Sequence, residues 1–256
     1  MTQTEATPVL ARYGVRFAAS TKDLLSAQRL RHQCFVTEAG RAPLAGGLDT
    51  DRFDGLCRHV IVEDAGAVVA TFRVMTLPDG RALRDSYSAQ SYDLTALAAF
   101  PRPMVELGRF CISPDVTDPG EAAHILRTAL GAITRIVERA GAGLLFGCSS
   151  FAGTDPQPYR AAFQYLAARH AAPAALAPLR KAPATIPLDT GCTPSPHALP
   201  PLLRSYLGLG GWVSDHAVVD AEMRTLHVFT AVETARVPPR RAEALRRLSE
   251  ALPPEI

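Results

Sequence analysis

The segment MVELGRFCISPD carries an acid, Glu106, and three residues later a guanidinium, Arg109, inside a run that is otherwise apolar. Neither charge is easily buried unless it is paired. In a regular strand, residues three apart point to opposite faces. Gly108 lies between the two, and glycine inside a strand often marks a bulge. A bulge there would return both side chains to one face and turn a backbone N–H outward, where it can stabilise an oxyanion. More acids and guanidines, in complementary numbers, come from separate segments: Arg31 with Phe35 one turn later, Asp49, Asp51 and Asp54 in the following loop, and Arg73 in ATFRVM. As surface ion pairs they would be worth about 0–1 kcal/mol each. That bland reading suits Asp49, because loop aspartates often serve turns. It suits Arg73, Glu106 and Arg109 less well, because their neighbours are apolar.

Other chemistries find little support. None of the five cysteines forms a CxxC, and no cysteine or histidine pair has zinc-ligand spacing, so no metal site is expected. YLGLGG does not stand between a strand and a phosphate-binding helix. GCSSFAG is not GxSxG. A net charge of +2 gives no case for nucleic acid. The start, MTQTEATPVLARYG, lacks the features of a signal peptide, and no stretch approaches the length of a membrane span, so a cytoplasmic protein is expected.

Alternating elements must position these residues. YGVRFAAS (13–20) reads as a strand, and TKDLLSAQRLRHQCFVTEAG as a helix capped by Ser20 or Thr21. HVIVEDAGAVVATFRVM (59–75) reads as a hairpin, 77–103 as irregular chain, and 104–112 as the next strand. Residues 120–140 form the clearest helix, with Ala122, Ile125, Leu126, Ala129, Leu130, Ile133, Ile136 and Val137 on one face and His124, Arg127, Arg135 and Arg139 on the other. A strand at 143–150, a helix at 158–170, a proline-rich excursion at 173–201, a short helix at LPPLLRSYLGLGG and a strand at 226–233 follow. The tail closes with a basic amphipathic helix, 239–252, which either lies on a membrane surface or packs as an ordinary terminal helix. With 256 residues, 47% hydrophobic and 20% charged, the chain fits one α/β domain around a mixed sheet.

The ordered set RLRHQCF, DTDRFDGLCRHVIV, ATFRVM, VELGRFCISPD, LLFGCSSFAGTDP, LPPLLRSYLGLGGWVSDHAVVDAEM and TLHVFTAVE resembles the bacterial N-acyltransferases that make lyso-ornithine lipid from L-ornithine and a 3-hydroxyacyl-carrier protein. These belong to the GNAT superfamily. Arg31 with Phe35, Asp51 with Asp54, Arg73, and Glu106 with Arg109 are also similar to the acyl-homoserine-lactone synthases, but the tryptophan those place soon after the phenylalanine is missing here. The resemblance implies a GNAT-like fold, a mixed central sheet flanked by helices, and no cofactor beyond the acyl-phosphopantetheine of acyl carrier protein. It implies transfer to the α-amine of L-ornithine, with Glu106 as general base. Arg73 or Arg109 would hold the substrate carboxylate, Asp51 and Asp54 its side-chain ammonium, and Arg31 completes the substrate set. Arg127 and Arg135 would receive the acidic carrier protein. The product would bring the protein to the inner face of the membrane. Lysine or homoserine as acceptor, or a binding module without turnover, are the alternatives.

Overall fold

The computed structural model describes residues 12–253 and residue 256. Most of the segment read for a signal peptide, residues 1–11, lies outside them. The chain falls into two compact units. The first takes the chain up to Met75, Leu107–Ala140 and the chain from Pro239 onward; the second takes Thr76–Glu106 and Gly141–Pro238. Each is assembled from pieces distant in sequence.

In the first unit, β1 (Tyr13–Phe17) leads into α1 (Thr21–His32). Ser20 caps α1: its side chain accepts from Asp23 N–H, and Asp23 answers at the cap backbone, a capping box. α1 widens into a π-helical turn, Gln33–Thr37. The hairpin β2 (Arg58–Asp64) and β3 (Ala67–Leu77) turns at Ala65 and Gly66, both at positive φ. β1, β2 and β3 pair in that order, antiparallel, and β3 neighbours the later part of the strand Met104–Ile112. The long helix Pro119–Arg139 starts at Asp118, whose carboxylate accepts from Glu121 N–H, with proline at the first helical position. Of the stripe expected from the periodicity, Ile125, Ala129, Ile133 and Ile136 are buried, and Ala122, Leu126, Leu130 and Val137 are half-buried. The terminal helix Pro239–Glu250 packs on it. A Cβ at Gly131 would meet the Leu248 backbone at 3.0 Å, so glycine is what allows this close approach.

In chain order we number the short β4 (Tyr92–Asp93), β5 (Met104–Ile112), α2 (Pro119–Arg139), β6 (Leu144–Ala152), α3 (Arg160–Arg169), β7 (Leu179–Arg180), β8 (Thr185–Pro187), α4 (Pro201–Gly208), β9 (Trp212–Asp220), β10 (Thr225–Glu233) and α5 (Pro239–Glu250). The second unit carries β6, β10, β9 and β8 in that order, with β10 antiparallel to both β6 and β9. Its core joins Phe151, Phe163, Leu166, Leu203, Val213 and Val228. Truncating a fully buried phenylalanine such as Phe163 costs about 3–5 kcal/mol. The eight strands belong to one mixed sheet flanked by helices.

β9 is the one long strand that the sequence reading lacks. WVSDHAVVD buries Ser214 and His216 and exposes Asp215, so polar residues on the inner face hide the alternation. The Ser214 hydroxyl donates to the His216 carbonyl at 2.7 Å and accepts from Phe229 N–H at 3.1 Å, which makes its burial tolerable.

Candidate active site

β5 begins on the apolar pair Met104 and Val105, both fully buried, and Glu106 follows at 4% exposure. The irregular chain 77–103 supplies its partners. A run of short 3₁₀ turns brings the Tyr87–Ser88 backbone edge-on to the carboxylate. Tyr87 N–H donates to Oε2 at 2.8 Å, and Ser88 N–H donates to Oε1 at 2.7 Å. The Ser88 hydroxyl donates to the same Oε1 at 2.6 Å. Such donors are the condition for keeping a buried carboxylate charged. The Ser88 oxygen also lies 3.5 Å from the Cys148 sulfur on β6.

The remaining acids and guanidines condense into one cluster in the first unit. α1 presents Gln28 and Arg31 on one face, the loop after it presents Asp49, Asp51 and Asp54, β3 presents Arg73, and β5 presents Arg109. Arg31 Nε donates to Asp49 at 2.7 Å and its Nη1 donates to Asp54 at 2.8 Å. Arg73 grips Asp51 with two bonds, 2.6 and 2.8 Å, and reaches Asp54 at 2.7 Å. Arg109 meets Asp49 and Asp51, each at 3.2 Å. Gln28 adds a bond to Asp54 at 2.9 Å. Three guanidinium groups thus face three carboxylates, and their formal charges balance inside a largely buried region. The rings of Phe53 and Phe35 lie 5.7 and 5.8 Å from the Arg73 and Arg109 guanidinium carbons.

Burial works against the charge on Asp54, but hydrogen bonds from Arg31, Gln28 and Arg73 outweigh it and draw its carboxyl down to about 2. At Asp51 the same opposition, with Arg73 and Arg109 as the partners, also ends below the ordinary value. His59, its Nε2 at 3.1 Å from the Asp54 carbonyl, is pushed down chiefly by burial and stays neutral near pH 7.

These positions revise several expectations. Asp49 is no turn residue: at 3% exposure it is the buried partner of Arg31 and Arg109. Arg31 and Arg73, with side chains 1% and 3% exposed, donate to aspartates of the loop and hold it. Asp51 and Arg109 show the most surface of the cluster, 20% and 12%. The irregularity anticipated at Gly108 falls at Arg109, which is left-handed at φ 54°. Non-glycine residues are rarely held there, and functional sites are where such strain collects.

Arg127 is exposed on α2, as the periodicity requires. Arg135 is not a free docking cation. It donates to the Ser249 and Leu252 carbonyls, the latter at 3.0 Å, and so caps the end of α5. α5 itself lays Leu245 and Leu248 inward and turns Arg240, Arg241, Arg246 and Arg247 outward, which decides for packing over insertion of its apolar face. Nothing in the sequence pointed to Tyr87, Ser88 or Cys148, because two of the bonds to Glu106 come from backbone N–H groups that no residue type announces.

Residues 30–125 match the Acetyltransferase (GNAT) domain family. This segment holds Arg31, Asp49, Asp51, Asp54, Arg73, Glu106 and Arg109 alike. The chain is 32% identical over 257 residues to the L-ornithine N(alpha)-acyltransferase of Rhodobacter capsulatus, covering 93% of this chain and 96% of that protein. It is 29% identical to the L-ornithine N(alpha)-acyltransferase of Brucella abortus, covering 90% and 88%. Among solved structures, FeeM, an N-acyl amino acid synthase from uncultured soil microbes, is 12% identical with a TM-score of 0.49, over 88% of this chain and 93% of that one. The near end-to-end likeness to the first relative, together with the match to the GNAT domain family, identifies the chain as a member of the L-ornithine N(alpha)-acyltransferase family.

Proposed function

We propose that this chain transfers a 3-hydroxyacyl group from acyl carrier protein to the α-amine of L-ornithine, giving lyso-ornithine lipid. The observation that carries the reading is the 32% identity to an L-ornithine N(alpha)-acyltransferase over 96% of that protein. The chemistry is consistent with it. An α-amine with a pKa of about 8 is mostly protonated at pH 7 and needs a base before it can attack. Glu106 takes that proton, directly or through a water. The amine nitrogen then bonds to the thioester carbonyl carbon, and the new N–H+ of the tetrahedral intermediate loses its proton to solvent water. The oxyanion collapses, the C–S bond breaks, and pantetheine leaves as the thiol with the first proton returned by Glu106.

Asp51 and Arg109 are the cluster members with surface to offer, the first to an ammonium and the second to a carboxylate. Asp54, Arg31 and Arg73 hold them in place. The loop after β5, SPDVTDPGEA, has acids and prolines where a glycine-rich pyrophosphate cradle would stand, which favours a donor with a single phosphate. Arg127 is the cation on α2 for an acidic carrier protein. No helix among the described residues is long and apolar enough to cross a membrane. The outward arginines of α5 give a cytoplasmic protein an electrostatic contact with anionic lipid, worth about 1 kcal/mol per residue.

The test is an assay of purified protein with 3-hydroxyacyl-carrier protein against ornithine, lysine and homoserine, the products read by mass spectrometry. Acyl-ornithine as the dominant product supports the reading. Preference for another amine, or no turnover with any, ends it.

A further inference from the structure

We infer that Ser88 is a positioning residue for Glu106: its hydroxyl, itself held by Cys148, orients and charges the carboxylate that takes the proton from the amine. The inference rests on the reading of Glu106 as the base. Ser88 is fully buried, in the second unit with Cys148 and Glu106. It gives Glu106 Oε1 two donors, the backbone N–H at 2.7 Å and the hydroxyl at 2.6 Å. A hydroxyl has one proton. At 2.6 Å that proton is committed to the carboxylate, so in the 3.5 Å contact with Cys148 the thiol donates and the Ser88 oxygen accepts. The direction of the chain is therefore set: Cys148 S–H to Ser88 Oγ, Ser88 O–H to Glu106. Without the thiol, the hydroxyl keeps its bond but loses the partner that holds its oxygen.

The 3₁₀ turn contributes in the same sense. The Ser86 hydroxyl accepts from Ala89 N–H at 3.2 Å, which fixes the turn that aims the Tyr87 and Ser88 N–H groups. Those two donors survive any substitution at 88 other than proline. The hydroxyl alone can be removed by mutation, which makes its contribution separable. The ionisable groups that the described contacts place around this turn are Cys148, Lys181, which donates to the Ala89 carbonyl, and Tyr92 with His227 at 3.1 Å from its hydroxyl and His216 against its ring. The Tyr92 phenol is pushed well above its ordinary value by burial first and by Cys148 second.

A hydrogen bond to the charged form favours that form, so a carboxylate that loses one protonates more readily. The acid limb of kcat/KM should then move to higher pH. A merely structural serine would leave that limb in place. The experiment measures kcat and kcat/KM against pH with 3-hydroxyacyl-carrier protein and ornithine, and thermal melts report the fold. For Ser88→Ala we expect the acid limb to rise by about one pH unit and kcat on the plateau to fall on the order of tenfold, as a less well oriented base requires. KM should stay near its original value. Ser88→Thr, which restores the hydroxyl, should return the limb toward its starting position. Cys148→Ala should move the limb the same way by less.

A folded Ser88→Ala with an unmoved limb overturns the inference. If Ser88→Ala does not fold, Cys148→Ala decides, and an unmoved limb there overturns it equally. Glu106→Gln separates the two levels. Full activity in that variant removes the base on which the inference rests. Loss of activity there, beside an unmoved limb in Ser88→Ala, removes only the positioning role.

Discussion

The two buried acid systems of this molecule solve one problem in opposite ways. In the first unit, Asp49, Asp51 and Asp54 meet Arg31, Arg73 and Arg109, and charge is matched by charge. In the second, Glu106 receives two backbone N–H groups and a hydroxyl, dipoles with no formal charge. Matched charges lock each other: the attraction that pays for desolvation also removes the groups from other work. Hydrogen-bond donors favour the charged form of a buried carboxylate without a counter-ion's grip. The first arrangement suits a scaffold; the second is the setting of the base we propose.

The comparison breaks first, and most visibly, at Glu106. Glu106→Gln removes the proposed base, so kcat should fall by about 10²–10⁴. Its amide NH2 must face the Tyr87 or the Ser88 N–H, so stability should fall too, by about 1–3 kcal/mol. Unchanged turnover in a folded variant would pass the role of base to a bound water.

Arg31→Met should show the reverse pattern. It leaves Asp49 and Asp54 short of a partner at a side chain only 1% exposed. Removing one member of a buried pair costs about 3–5 kcal/mol, read as a fall in the denaturation midpoint. A variant of wild-type stability would show that the cluster is not the scaffold described here.

The pH dependence of stability separates the units next. Asp54 titrates near 2 in the fold against about 3.9 in the unfolded chain. Its stabilisation is fully present above about 3.9 and is lost as pH falls from there toward 2. His227 in the second unit is held at about 4, chiefly by burial, against about 6.5 when unfolded. Between those values the unfolded chain binds the extra proton, so stability falls as pH drops through that window. Melting temperatures from pH 7 to 3 should therefore decline in two stages. His227→Asn should flatten the upper one in part, since His59 is lowered in the same direction. An unaltered slope in that variant would mean that His227 is protonated in the fold.

The smallest effects belong to α2, where the contrast recurs between two arginines. Arg127→Glu should raise KM for the carrier protein at low salt and leave kcat near its original value. Arg135→Glu should instead loosen α5, because Arg135 caps that helix. It should lower stability by about 1–2 kcal/mol, with little change in KM. Vesicle sedimentation of Arg240→Glu with Arg241→Glu completes the set. Equal binding to anionic lipid before and after the change would dismiss the electrostatic contact.

Much of this was legible in the sequence, for reasons that are local. The 3.6-residue stripe of α2, the Ser20 cap of α1 and the boundaries of β5 follow from side-chain periodicity and capping chemistry, which act over a few residues. The list of unusual charges was legible too, because an acid inside an apolar run stands out whatever surrounds it. Which charge meets which was not. Arg31 finds Asp49 and Asp54 across 18 and 23 residues, Arg109 finds Asp51 across 58, and Glu106 finds Ser88 across 18. Those distances are closed by strand pairing and by the path of an irregular loop, and both depend on the whole chain. Backbone donors, such as Tyr87 and Ser88 N–H, are common to almost every residue, so composition cannot mark them. For the same reason β9 was hidden by its inward Ser214 and His216, polar residues whose burial is stabilised only by partners that the tertiary fold brings to them. The sequence by itself determined which residues could bear charge and where helices and most strands run. The tertiary structure decided which of those charges pair with one another and which meets backbone N–H groups instead, because pairing requires contact, and contact here is long-range.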